Sequence, residues 1–249
     1  MSQPPSNQTR AEFIAAIDHV IRERKTLKVL RDPMQCAELD PIVAEALRVA
    51  VRESLEVAGW APFHKPAHKE THLQGGPASI VPWRFYVLEK PTCCALLDRL
   101  RVQSQANPDS KWSRAWETKI TRVIAGTGAL VMTTWLPDPA PDGGAPVLNE
   151  NNQEHIAAAS AAIQNLMLAA EARGLQTYWS TGGILNDGEV FDWLGIPRAQ
   201  KLAGAVFLAP TELPGDAFEG GSWRDKRGGP AEWSVWVDAD RLAAPDDLA

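Results

Sequence analysis

An α+β fold in which helices cover a modest sheet is predicted by three features of the 249-residue chain. Apolar residues recur at helical spacing in several long segments, short aromatic and β-branched runs stand between them, and the two patterns alternate along the chain. The hydrophobic share of 45% is enough for one sizeable core, so one large domain is expected.

Residues 1–9 are polar and contain prolines, which suits a mobile arm ahead of a single domain spanning 10–249. Thr9 is placed to cap a first helix whose apolar face is Phe13, Ile14, Ile17, Val20 and Ile21, and which ends in the basic run Arg24 to Lys28. Pro41 opens a second helix, striped by Leu47, Val51 and Leu55 and stopped at Gly59. Trp83 to Leu88 reads as a strand, Leu96 to Val102 as a helix and Lys111 to Ala125 as one longer helix. Ala129 to Trp135 is almost continuously apolar, the pattern of a strand covered on both faces. Residues 137–146 hold four prolines and two glycines and are expected to be a loop. A long alanine-rich helix is expected from about Asn152 to Arg173, where small residues permit close helix packing. Leu175 to Trp179, Leu202 to Leu208 and the alternating Glu232 to Val237 read as further strands, with a short helix at Val190 to Leu194.

The formal net charge of −6 argues against chain-wide attraction to nucleic acid or to anionic membrane. No stretch approaches the roughly 20 apolar residues of a membrane span, and the N-terminus has no secretory pattern. Cys36, Cys93 and Cys94 suggest neither a disulfide framework nor a zinc ribbon. A reducing, cytoplasmic setting is the expectation.

Several clusters bear on chemistry. Arg22, Arg24, Lys25, Thr26 and Lys28 combine cations with a hydroxyl, as a phosphate monoester requires; the alternative is a solvated basic face. Arg224, Lys226 and Arg227 form a second cationic group in a glycine-rich stretch. Between them, Thr181, Gly182 and Gly183 follow a strand, where small residues let a ligand approach backbone amides. His64, His68 and His72 recur every four residues, but Pro66 breaks any helix that would align them, and no metal motif accompanies them. No metal site is assigned. The chain has no GxGxxG after a strand, no Walker A sequence and no GxSxG, so a cofactor is favoured over a protein nucleophile as the reacting group.

In order, these pieces resemble the FMN-dependent nitroreductase family. RKTLK (24–28) looks like that family's Arg-x-Ser-x-Lys/Arg phosphate segment, and APFH (61–64) with VPWRFYVLE (81–89) like the two halves of its Ala-Pro-Ser-Ser-x-Asn-x-Gln-Pro-Trp stretch. QNLMLAAEARGLQTYWSTGG is similar to the end of its central helix and the strand after it, and RDKR to its C-terminal Lys-x-Arg. The resemblance implies a mostly antiparallel central sheet flanked by helices, in an intertwined homodimer whose C-terminal tail reaches across the partner. It also implies a cofactor site. Arg24, Lys25, Thr26 and Lys28 would hold the FMN phosphate with Arg224, Lys226 or Arg227. Pro62, Phe63, His64, Ser79 and Pro82 would wall the flavin, Asn165 would lie beneath it, and the amides of Thr181 and Gly182 would face its N5 edge. The chain departs from the family where Ser79-Ile80-Val81 replaces Asn-x-Gln, and where about a dozen extra residues, carrying all three histidines, stand between Pro62 and Pro82.

The implied function is an oxidoreductase in which NAD(P)H reduces FMN and the flavin passes electrons to a nitroaromatic, quinone or related small-molecule acceptor. No side chain is assigned as obligatory catalyst, and His64 is the candidate to face substrate. The alternatives are a flavin enzyme dedicated to one substrate, by oxidation, desaturation or dehalogenation, and a non-catalytic flavin- or metal-binding protein.

Overall fold

The structure, a computed structural model, describes residues 7–67, 79–140, 146–211 and 217–237. Its centre is an antiparallel sheet of order β2-β3-β5-β4, built from β2 (Trp83–Glu89), β3 (Ala129–Trp135), β4 (Leu175–Ser180) and β5 (Lys201–Pro210). β3 is an interior strand, and all its residues but Trp135 are buried, as its unbroken apolar run demands.

Alternation along the strands sends side chains to two cores. Leu130, Met132, Ala205 and Phe207 face one side, under α3 (Lys90–Ala106), α4 (Lys111–Trp116), α5 (Lys119–Gly126) and α7 (Gly188–Leu194). Val131, Val206 and Leu208 face the other, under α2 (Pro41–Ala58) and α6 (Glu150–Glu171). α6 is the long alanine-rich helix. Its alanines at 158, 159 and 162 are buried against Ala61 and Trp83.

α1 (Asn7–Glu23) leads into β1 (Leu27–Leu30), which pairs antiparallel with β6 (Ala217–Gly220) in a small second sheet. A parallel bridge between Thr26 and Thr177 ties that sheet to the edge strand β4. The chain ends, within the described residues, in a 3-10 turn at Arg224–Lys226, α8 (Pro230–Trp233) and an exposed segment to Val237.

Several expectations are corrected. α1 begins at Asn7, so Thr9 lies inside it rather than capping it. Residues 1–6 of the expected arm lie outside the described residues. The helix expected over Lys111 to Ala125 is two, because Thr118 takes an extended conformation between them. Glu232 to Val237 is not a strand: Pro230 starts a helical turn, and Ser234 is extended with no strand partner among the described residues. β1 and β6 were not anticipated; four residues each are too short for a period to show.

A disulfide was not anticipated either. Cys36 and Cys94 are bonded, with Cα atoms 5.5 Å apart. They are 58 positions apart in sequence, and only the packing of the segment after β1 onto α3 brings them together. Cys93, next in sequence, stays a buried thiol with its pKa pushed up to about 12 by burial.

Candidate flavin site

The two cationic groups meet. Arg224 donates from Nη1 to the carbonyl of Arg24 at 2.7 Å and from Nη2 to that of Arg22, and the Gly221 amide donates to the Thr26 carbonyl at 3.0 Å. β6 makes this possible. Its pairing with β1 delivers the 221–227 segment onto the end of α1. Arg24 is half-buried, and burial pulls its guanidinium pKa down; Glu171 opposes that, and Arg224 and Arg227 add to it. Cations gathered around a half-buried guanidinium form a ready site for an anion.

Lys28 points elsewhere. Its Nζ is 2.7 Å from Glu219 Oε1 and 5.2 Å from the centre of the Tyr178 ring. Lys119 hydrogen-bonds the other oxygen of Glu219, and these bonds, Lys119 first and Lys28 second, hold that carboxyl at about 2. Lys28 therefore pins β1 to β6, the arrangement that carries Arg224 into place.

The two halves of the split stretch also meet. Ala61 and Trp83 share a cluster with Ala158, Ala159 and Ala162 of α6, Phe63 packs edge-on against Trp83 at 5.8 Å, and Leu136 N donates to Pro82 O at 3.1 Å. At the base of the insertion, Ala67 N donates to Ile80 O at 2.8 Å. Pro82 is buried, Phe63 half-buried, and Pro62, His64 and Ser79 are exposed. His68 and His72 lie outside the described residues. Among the described residues no group of three or more His, Cys, Asp or Glu side chains is placed to hold a metal ion.

Arg84 organises this wall, and sequence reasoning missed it. It is buried, and its guanidinium donates to the carbonyls of Ser79, Val81 and Trp83 at 2.7 to 2.8 Å. Three carbonyls on one fork fix the backbone of residues 79–83. The available signal was an arginine inside an otherwise apolar strand.

At the end of β4, Gly182 has φ 96°, and a Cβ there would stand 2.4 Å from Leu202 Cδ2, so glycine is required on both counts. Its amide donates to Ser180 Oγ at 3.1 Å, and Thr181 beside it is exposed. Asn165 lies half-buried on α6. Thr177, bridged to Thr26 beside the cationic group, is about 10 Å along β4 from Ser180 at strand rise, and Gly182 lies just past that end. A ligand touching both ends is elongated, with an anionic terminus and a part that approaches backbone.

The Nitroreductase family model matches residues 21–209. Among solved structures, a nitroreductase-like family protein from Bacillus cereus is similar at 22% identity and a TM-score of 0.57, over 96% of this chain and 99% of that one. A nitroreductase from Bacteroides fragilis with bound FMN is similar at 16% identity and a TM-score of 0.54, over 89% and 98%. An FMN-dependent nitroreductase from Mycobacterium smegmatis in complex with NADPH is similar at 15% identity and a TM-score of 0.50, over 91% and 100%.

Proposed function

Because the chain belongs to the nitroreductase family, we propose that it is an FMN-dependent oxidoreductase which takes electrons from NAD(P)H and passes them to a nitroaromatic, quinone or related small acceptor. The observation that carries this reading is the convergence of Arg224 on Arg24 and of Gly221 on Thr26, beside Thr177 of β4, with Gly182 just past the end of that strand. Bound FMN would supply hydride acceptance and electron release; the chain supplies placement. Arg24, Lys25 and Thr26, with Arg224, Lys226 and Arg227, hold the phosphate. Lys28 acts one step back, through Glu219. The backbone at Thr181 and Gly182 would receive the ring edge, where fixed dipoles act most strongly on developing negative charge.

A homodimer is part of the proposal. α1 exposes Phe13, Ile14, Ile17 and Ile21 on one stripe, and the segment after α8 exposes Val235, Trp236 and Val237, with Trp236 90% accessible. A lone chain has no physical reason to leave these apolar faces in water. β2 is an edge strand, and beside it a groove of ≈550 Å³ runs between α2 and the start of α3, lined by Leu47, Val51, Val87 and Lys90 among others. A partner's tail is the occupant we assign to it.

A second reading, a flavin enzyme with one dedicated substrate, is favoured by the wall at Phe63, Trp83 and the Arg84-bound backbone, which differs from the family stretch in composition and length. One experiment covers both: flavin identification by mass in the purified protein, then an acceptor screen. Turnover of several nitroaromatics and quinones supports the first reading, and turnover of none of them supports the second. Protein that is colourless and binds no added FMN overturns both.

A further inference from the structure

Residues 36–39 run from the 3-10 turn at Pro33–Gln35 to Asp40, whose carboxylate caps α2 by accepting from Ile42 N at 2.9 Å. Among the described residues, none forms a hydrogen bond with this segment. It is held by the apolar packing of Leu39 between Val29 and the Leu47 and Val51 side of α2, by the packing of Cys36, and by the Cys36–Cys94 bond. The bonded pair stands beside the ≈550 Å³ groove on both of its sides. Glu38, Leu39 and Pro41, which follow Cys36, line it, and so do Lys90 and Pro91, which precede Cys94 at the start of α3. The bond is therefore a covalent tie between the segment that enters α2 and the start of α3, the two elements between which the groove runs. Both cysteines are half-buried, whereas Cys93 is enclosed.

We propose that Cys36–Cys94 is a reversible redox site, opened by a dithiol reductant, whose state sets how firmly the groove holds the tail of a second copy of this chain. The inference rests on the reading of that groove as the tail's docking site. In the opening step a thiolate of the reductant attacks one sulfur of the bond and forms a mixed disulfide. The reductant's second thiol then closes on its own sulfur, and Cys36 and Cys94 are both released as thiols. Two electrons pass from the dithiol to the bond, and two protons end on the cysteine sulfurs; the oxidised dithiol restores the bond by the reverse steps. Cys93 does not exchange with its neighbour, because burial pushes its thiol up to about 12 and leaves it no thiolate near neutral pH. With the bond closed, residues 36–39 are ordered before the tail arrives, so docking costs less entropy. With it open they have no hydrogen bond to hold them, and re-ordering a single residue weakens docking by about tenfold. Where the thiol pool is reducing, a disulfide of this kind reports redox state rather than serving as a scaffold.

The test is sedimentation equilibrium of the full-length protein with FMN added, after equilibration with oxidised or with reduced dithiothreitol. Denaturation in iodoacetamide and mass measurement then count the free thiols in each sample. The expected result is a label on Cys93 alone in the oxidised protein and on Cys36, Cys93 and Cys94 in the reduced one. The dimer dissociation constant should rise at least about tenfold on reduction and return on reoxidation, with circular dichroism showing the chain folded in both states. Cys36→Ser should keep the reduced value in both buffers. Labels on all three cysteines of the oxidised sample overturn the proposal, as does a dissociation constant that is the same in both states, whether or not the variant folds. A wild type that sediments as a single chain in both states is the separate result that removes the dimer reading, and this proposal with it.

Discussion

Arg224 makes the most specific contact across the candidate phosphate site, since one guanidinium joins the carbonyls of Arg22 and Arg24 to the C-terminal segment 200 residues away in sequence. Arg224→Ala removes both hydrogen bonds and one of the cations. With charge-assisted bonds contributing about 1.5–3 kcal/mol each, FMN affinity should fall at least about tenfold, measured by quenching of flavin fluorescence. Arg224→Lys should restore only part of it, because an ammonium cannot fork between two carbonyls. An unchanged dissociation constant in Arg224→Ala would place the phosphate elsewhere. Residues of this kind were only partly legible. The cations at 24–28 and 224–227 were visible as charge runs, but their meeting depends on the β1–β6 pairing, which two four-residue strands do not announce. Lys28 sits in the basic run and yet serves Glu219, a difference that only side-chain direction decides.

At the scale of elements, Lys90 is a useful probe. It opens α3, is buried, and donates to the carbonyls of Ala125 and Thr127, where α5 ends and its acceptors have no helical donors. Burial lowers its pKa from 10.5 to about 8. Between about pH 8 and 10.5 the folded chain has shed this proton while the unfolded chain keeps it, so Lys90's contribution to stability rises with pH in that window and is lost as pH falls back towards 8. The gain is at most about 3 kcal/mol. Urea unfolding at pH 8 and 10 should show this rise in wild type and lack it in Lys90→Met; parallel pH profiles would mean the amine keeps its proton. The long elements were legible for two reasons: burial on one face writes a period into α2 and α6, and burial on both faces writes an unbroken apolar run into β3 and β5, so all four came out near their observed bounds. Glu232 to Val237 misled because its alternation describes a segment with no strand partner among the described residues. The Cys36–Cys94 bond was illegible because spacing says nothing about residues joined through tertiary packing.

For the whole molecule, the sheet and its two cores account for the buried apolar residues, while α1 and the tail carry apolar surface that a single chain leaves in water. Ile17→Glu places a charge in the middle of the α1 stripe and should shift the protein from twice the chain mass towards one, by sedimentation or light scattering, and weaken flavin retention with it. A wild-type protein that sediments as a single chain would contradict the dimer. The flavin reading itself is tested most directly by anaerobic titration of the FMN-loaded protein with NADPH and NADH, followed by the visible flavin absorbance. The predicted result is bleaching by about one equivalent of one or both donors, and recovery of the band on adding a quinone or nitroaromatic. Bound FMN whose absorbance neither donor changes would contradict the account.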